Sequence, residues 1–364
     1  MRALLINAVC GIRSTGRICT DLAKQLETEG YEVKIAYGRF TVPKQFEKYA
    51  VKIGKSSDVY WHALMTKCFD QRGYWSKKAT KKFLKWADSY NPDLLWLHNI
   101  HDYFVNIEML FEWIKTRPQM KVKWTQHDCW AFTGGCMHFD LMKCYQWKNH
   151  CENCPKERTK LFKTMERESF ERKKEAFTKV SQMTIVAVSK WIGNLVSESF
   201  LNEYPIEVCH NQIDLSVFKP TPGKFKNKYG LQSKKIVLGV SNVWLPYKGF
   251  YDFIELSKRL NDEYIVVLVG VDKKKQRELP ESIVAIEKTN SSKELAEIYS
   301  DADVFVNLTY QDTYPTVNLE AQACGTPCIT YKTGGSVESV PKENVVEQGD
   351  LNALINRIKE LTES

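Results

Sequence analysis

Apolar residues in this chain gather in short runs, and longer stretches between the runs repeat their apolar positions every three to four residues. Strands are expected at Ala3–Val9, Val33–Tyr37, Leu94–His98, Lys121–Gln126 and Thr184–Val188. A helix is expected near Arg17–Glu29, ended by Gly30, and another from Lys190, where Ser189 is placed to cap it. The rhythm restarts in the second half. Strands are expected there at Lys235–Val240, Tyr264–Val269, Asp303–Leu308 and Cys328–Tyr331, with helices near Gly249–Leu260, Ser292–Tyr299 and Thr316–Cys324. Regular strand–helix alternation predicts an α/β fold with parallel, doubly wound sheets. Pro220, Pro222 and Gly223 punctuate the region between the two series. The expected organisation is two Rossmann-like domains facing a central cleft. Residues 1–205 form the first, 206–232 a linker region, and 233–364 the second.

Composition narrows the function classes only a little. Hydrophobic residues make up 43% of the 364-residue chain and charged residues 26%, as in an ordinary globular protein. The net charge of +8 suits polyphosphate ligands, anionic membranes or nucleic acid. No nucleic-acid-binding module is recognisable, so nucleic acid is not the expected partner. The first ten residues hold too short an apolar run for a signal peptide, and no stretch reaches bilayer length. A cytoplasmic protein is therefore expected, and its 11 cysteines are expected to be thiols or metal ligands, not disulfides.

The strongest chemical signal runs from Asp303 to Pro327: a strand, a polar loop holding Asp312, and a helix carrying Glu320 and ending at Gly325. Open α/β sheets bind ligands outside the carboxyl ends of their strands, and helix N-termini attract anions. Two carboxylates for hydroxyls beside an anion-binding helix end suggest a sugar nucleotide. Lys248 lies at another strand-to-helix turn, where it could meet a phosphate; a solvated turn lysine is the plainer reading. Gly11 and Gly16 bracket a turn after the first strand, which matches neither a Walker loop nor the dinucleotide fingerprint. His127 and Asp128 follow the strand Lys121–Gln126, and His98, Asn99 and His101 follow the strand before it. A lone histidine is more often structural than functional.

Cys136, Cys144, Cys151 and Cys154 lie within the loop 129–155 and end in a Cys-x-x-Cys pair. A closed structural zinc site is one reading. Free thiols, or His138 or His150 in place of one cysteine, are the others. Basic residues Lys77, Lys78, Lys81, Lys82 and Lys85 recur at helical spacing among Tyr74, Trp75, Phe83, Leu84 and Trp86. Lys156–Lys179 is a second basic, amphipathic stretch, with Leu161, Phe162 and Phe170. Such faces suit an anionic membrane surface. Solvated helix faces are the plainer alternative.

The segment Thr309–Pro327 resembles the signature of retaining glycosyltransferases of family 4, which have the GT-B fold. Tyr299–Val306 and Gly334–Glu338 share the resemblance, and His210–Pro220 is similar to the family's interdomain Asn-Gly-Ile-Asp element. Ser14–Ile18 and His127–Gly134 resemble a subgroup tied to colanic-acid and other exopolysaccharide or capsule synthesis, and so does the cysteine-rich loop. The resemblance implies a hexosyltransferase that takes a sugar from a UDP- or GDP-sugar and passes it to a glycan or lipid-linked oligosaccharide. It implies no essential catalytic metal. By position, Lys248 would hold the pyrophosphate, Glu320 the ribose, and Asp312 the donor sugar. His127 would lie by that sugar and Gly16 over the phosphates. Asn242, Thr313, Tyr314, Pro315, Thr316 and Val317 complete the implied donor site. Three places depart from the pattern. Asp312 stands where the family usually has Glu, Ser241–Val243 lacks the family's arginine, and Gln212 replaces the interdomain glycine. The alternatives are another GT-B enzyme, such as a sugar-nucleotide epimerase, and a non-catalytic binding protein using its basic faces and cysteine loop.

Overall fold

A computed structural model describes residues 1–69, 71–155 and 165–363. The chain divides into two compact units, Met1–His210 and Asn211–Ser364. The first unit carries β1 (Arg2–Asn7), α1 (Arg13–Thr28), β2 (Glu32–Tyr37), β3 (Ala50–Lys52), α2 (Ser56–Phe69), α3 (Lys77–Tyr90) and β4 (Leu94–Leu97). It continues with α4 (Ile107–Lys115), β5 (Lys121–Gln126), α5 (Glu166–Phe177), β6 (Met183–Ala187), α6 (Lys190–Ser197) and β7 (Ile206–Val208). Its seven strands are parallel, in the order β3-β2-β1-β4-β5-β6-β7. The second unit carries α7 (Phe225–Tyr229), β8 (Lys235–Val240), α8 (Phe250–Arg259), β9 (Tyr264–Val269), α9 (Lys273–Gln276), β10 (Ile283–Ile286) and α10 (Ser292–Asp301). It ends with β11 (Val304–Asn307), α11 (Thr316–Ala323), β12 (Cys328–Tyr331), β13 (Val345–Val346) and α12 (Leu351–Thr362). These strands are also parallel, in the order β10-β9-β8-β11-β12-β13.

The second sheet shows why the strands read as nearly continuous apolar runs. Side chains alternate across a strand. Val237, Val266 and Leu268 enter one core with Phe253 and Leu354, while Ile236, Leu238 and Val267 enter another with Phe225 and Tyr299. Both faces are covered, so both sets must be apolar. In each sheet the strand order reverses once, between β1 and β4 in the first and between β8 and β11 in the second. A doubly wound sheet opens its ligand crevice at that reversal.

The expected strands agree closely with those observed, and β5, β8, β9 and β12 match residue for residue. Helix α1 starts at Arg13, earlier than expected, so Gly16 sits in its first turn and not in a loop. The short strands β3, β7, β10 and β13 give no sequence signal, and they include both edges of each sheet. Ser189 caps α6 as expected, its hydroxyl accepting the Ile192 N–H at 3.2 Å.

The basic faces hold a correction. The lysines of α3 are exposed and Trp75 and Trp86 are half-buried, but Tyr74, Phe83 and Leu84 among them are buried, as is Phe170 on α5. Helical spacing placed them beside the lysines in sequence, on the opposite, inward face. Leu161 and Phe162 lie outside the described residues.

Candidate functional site

In the second unit, the loop after β8 and the loop after β11 meet at the reversal of strand order. Two backbone contacts lock them together. Tyr310 N–H donates to the Tyr247 carbonyl at 2.8 Å. Gly249 takes a left-handed φ of +75°, and a Cβ there would lie 2.4 Å from the Leu308 carbonyl oxygen. Only glycine permits so close an approach. The consequence is that Lys248 Nζ and Asp312 Oδ2, 64 residues apart, form an ion pair at 2.9 Å with both side chains less than a third exposed. The Asp312 carbonyl also accepts the Gly335 N–H at 3.2 Å, which ties the loop after β12 to the same place.

The start of α11 borders this pair. Pro315 occupies its N-cap position and no side chain caps it. Thr316 and Val317 form its first turn and are half-buried, while Thr313 and Tyr314 are buried in the loop before it. Asn211 fixes the loop by donating its side-chain N–H to the Tyr314 carbonyl at 2.9 Å. Glu320 lies one turn further along α11 and is 2% exposed. Its Oε2 accepts the Tyr299 hydroxyl at 3.2 Å. Burial and the Glu320 charge push the Tyr299 phenol well above its ordinary range, so it stays a donor. Asn242 is exposed in the loop after β8.

The first unit gathers a different set at the ends of β4 and β5. His98 Nδ1 and His127 Nε2 are 3.0 Å apart with nearly parallel rings. Burial pushes His127 down to about 4 and His98 well below its ordinary value, so the pair shares a hydrogen bond as neutral imidazoles. His101 behaves oppositely. Its Nε2 lies 2.9 Å from Asp128 Oδ2, and its Nδ1 is 3.5 Å from Asp102 Oδ1. Burial disfavours its charge, but the two carboxylates outweigh burial and raise it to about 9. Asp102 is paired further with Arg39 at 3.2 Å. Gly16 is used internally: its carbonyl accepts the Gly11 N–H at 3.1 Å, and a Cβ on it would lie 2.9 Å from Val9.

Sequence reasoning flagged His101 and Asp128 separately and missed Asp102, Arg39 and Tyr299. Adjacent parallel strands bring their following residues together, so pairing the ends of β4 and β5 would have found the His101–Asp128 contact. No local pattern announces Tyr299, a core residue of α10.

Cys136, Cys144, Cys151 and Cys154 line one small cavity with Phe139 and Trp147. Burial raises the Cys151 thiol to about 11, and its Sγ accepts the Gly134 N–H at 3.2 Å. Among the described residues, no three His, Cys, Asp or Glu side chains converge as metal ligands. Lys173 is fully buried beside this loop, donating to the Trp130 carbonyl at 2.7 Å, and burial lowers it to about 7.

Comparison with known proteins places these features. Residues 15–217 match the family described as Glycosyltransferase Family 4, and residues 223–364 match the family Glycosyl transferases group 1. N-acetyl-alpha-D-glucosaminyl L-malate synthase of Bacillus anthracis is 27% identical over 182 residues, covering 47% of this chain and 45% of that protein. WcaC of Escherichia coli, assigned as a colanic acid biosynthesis glycosyl transferase, is 32% identical over 68 residues, 18% of this chain and 16% of its own. A Campylobacter jejuni N,N'-diacetylbacillosaminyl-diphospho-undecaprenol alpha-1,3-N-acetylgalactosaminyltransferase is 29% identical over 124 residues, 32% of this chain and 31% of its own. The chain spans about half the length of the curated relatives it matches. Among solved structures, Anabaena HepE in complex with UDP superposes with a TM-score of 0.67 at 14% identity, covering 100% of this chain and 90% of that one. At that identity the likeness concerns the fold.

Proposed function

This chain belongs to glycosyltransferase family 4, and on that premise we propose that it is a retaining hexosyltransferase of surface-polysaccharide assembly. It moves one sugar from a UDP- or GDP-sugar to a hydroxyl of a glycan, carried on a lipid-linked oligosaccharide. The observation that carries this reading is the Lys248–Asp312 pair at the strand-order reversal, beside the start of α11 and Glu320.

Each group has a task in that reaction. Lys248 and the first-turn N–H groups of α11, near Thr316 and Val317, take up charge on the departing diphosphate. Stabilising charge where it develops is the largest part of such catalysis. Glu320 accepts from the ribose hydroxyls, and Asp312 accepts from the donor sugar while orienting Lys248. Thr313, Tyr314 and Pro315 shape the sugar pocket, and Asn242 flanks the phosphates. His127, kept neutral by burial, adds no charge at the end of the first sheet. The acceptor hydroxyl attacks from the face the diphosphate leaves, and a diphosphate oxygen takes its proton, so configuration is retained. The lipid-linked acceptor is supported by the diphospho-undecaprenol named for the Campylobacter relative. A UDP carrier is supported by the UDP bound to HepE, and polysaccharide assembly by WcaC. Among the described residues no helix is long and apolar enough to cross a membrane. Contact with the inner membrane face would then be peripheral. The four cysteines around one small cavity leave both the thiol and the zinc reading of the loop in place, and metal analysis of protein purified without chelator separates them.

The test is product analysis with labelled UDP- and GDP-hexoses, with and without a lipid-linked glycan acceptor. Transfer that requires the acceptor supports the proposal. A new nucleotide-sugar formed from donor alone would indicate an epimerase instead, and no turnover with any donor would leave a binding protein.

A further inference from the structure

Helix α2 buries one side chain of its 14, His62, although Val59, Tyr60, Trp61, Ala63, Leu64, Met65, Cys68 and Phe69 make it apolar. The other helices of the first unit each bury three or more. His62 holds the inner side of α2, with Nδ1 2.8 Å from Ser76 Oγ and Nε2 accepting the Gly73 N–H at 3.2 Å. At 100° per residue, Tyr60, Trp61 and Leu64 fall on the side away from His62. They are 77%, 58% and 51% exposed. An apolar face left in water marks an interaction site.

Charge identifies the partner. Ser76 immediately precedes α3, and a Cβ on Gly54 would lie within 2.9 Å of both Asp58 of α2 and Ala79 of α3, so the first turns of the two helices are neighbours. Lys77, Lys78, Lys81, Lys82 and Lys85 of α3 are exposed. None has an ion-pair partner among the described residues, and α3 has no carboxylate before Asp88. A protein interface excludes lysine from its apolar centre. Tyr, Trp and Leu beside unpaired lysines suit the boundary of an anionic bilayer, where aromatic rings sit at headgroup level and lysines meet phosphates.

We propose that α2 is the membrane-docking element, lying in the plane of an anionic bilayer with Tyr60, Trp61 and Leu64 inserted and the α3 lysines on the headgroups. This deepens the peripheral-membrane reading above and rests on it for the presence of a bilayer. It also relocates the apolar contact away from Phe83 of α3 and Phe170 of α5, which are core.

The experiment is flotation of the full chain with vesicles of phosphatidylcholine alone or mixed equally with phosphatidylglycerol. Wild type should float with the mixed vesicles and only weakly with phosphatidylcholine. Lys78→Gln, Lys81→Gln and Lys82→Gln together should weaken binding on the order of 100-fold, about fivefold per lysine. Trp61→Ser with Leu64→Ser should lower it by about tenfold or more. These exposed substitutions should leave the urea unfolding midpoint in place. No flotation of wild type, or wild-type flotation of the Trp61/Leu64 variant, would overturn the proposal. A self-associating chain made monomeric by the same variant would also overturn it, in favour of a second copy. Transfer to a soluble glycan acceptor, followed in parallel, separates the two claims. Lost transfer with intact flotation counts against the enzymatic reading alone.

Discussion

Replacing Lys248 with alanine tests the centre of the proposed donor site. The ammonium carries three N–H donors. One is committed to Asp312 Oδ2 at 2.9 Å, which leaves two for a phosphate. A hydrogen bond to a charged group contributes about 1.5–3 kcal/mol, so Lys248→Ala should weaken UDP or GDP binding about 10- to 150-fold. Asp312→Asn should do the reverse with the free nucleotide. A phosphate oxygen bound to the same ammonium would lie about 5–6 Å from the carboxylate. At an effective dielectric constant of about 20–80 the repulsion there is about 1–3 kcal/mol. Removing it should tighten free UDP, while the affinity of the UDP-sugar relative to UDP falls with the loss of the carboxylate that accepts sugar hydroxyls. Isothermal calorimetry with UDP, GDP and ADP on both variants reads these changes. A partly exposed ion pair adds little to folding, roughly 1 kcal/mol or less, so both variants should remain folded. A Lys248→Ala affinity within about twofold of wild type for the preferred nucleotide would refute the assignment of the diphosphate to this loop.

Two further outcomes follow from burial and charge. Glu320→Ala should weaken nucleotide binding by about 1–3 kcal/mol, from lost hydrogen bonds to the ribose, and an unchanged affinity by calorimetry would remove that role. His101 should make stability depend on pH. Its folded pKa of about 9 lies above the ordinary 6.5, so its contribution is complete below pH about 6.5 and is lost as pH rises through about 9. The difference amounts to about 3 kcal/mol. Urea unfolding of wild type and His101→Gln should therefore differ most near pH 6 and converge by that amount near pH 10. A difference constant across that range would show that His101 is not held protonated by Asp102 and Asp128.

Local patterns carried much of this protein. Buried parallel strands need apolar side chains on both faces, so β8, β9 and β12 could be bounded to the residue from sequence alone. A strand–loop–helix reading exposed Lys248, Asp312 and Glu320 as separate candidates. Sequence could not say that Lys248 and Asp312 touch, because strand order is set by packing between distant segments and not by periodicity. The sheet reversal between β8 and β11 makes that contact, as the neighbouring ends of β4 and β5 make the His101–Asp128 pair. Tertiary structure also decided which aromatic residues face water. Apolar residues of α3 are interleaved with lysines in sequence but Phe83 and Leu84 lie in the core, whereas Tyr60 and Trp61 of α2, with no sequence signal of their own, are left exposed. A helix presents all its sides in sequence, and only its packing partners determine which side is buried.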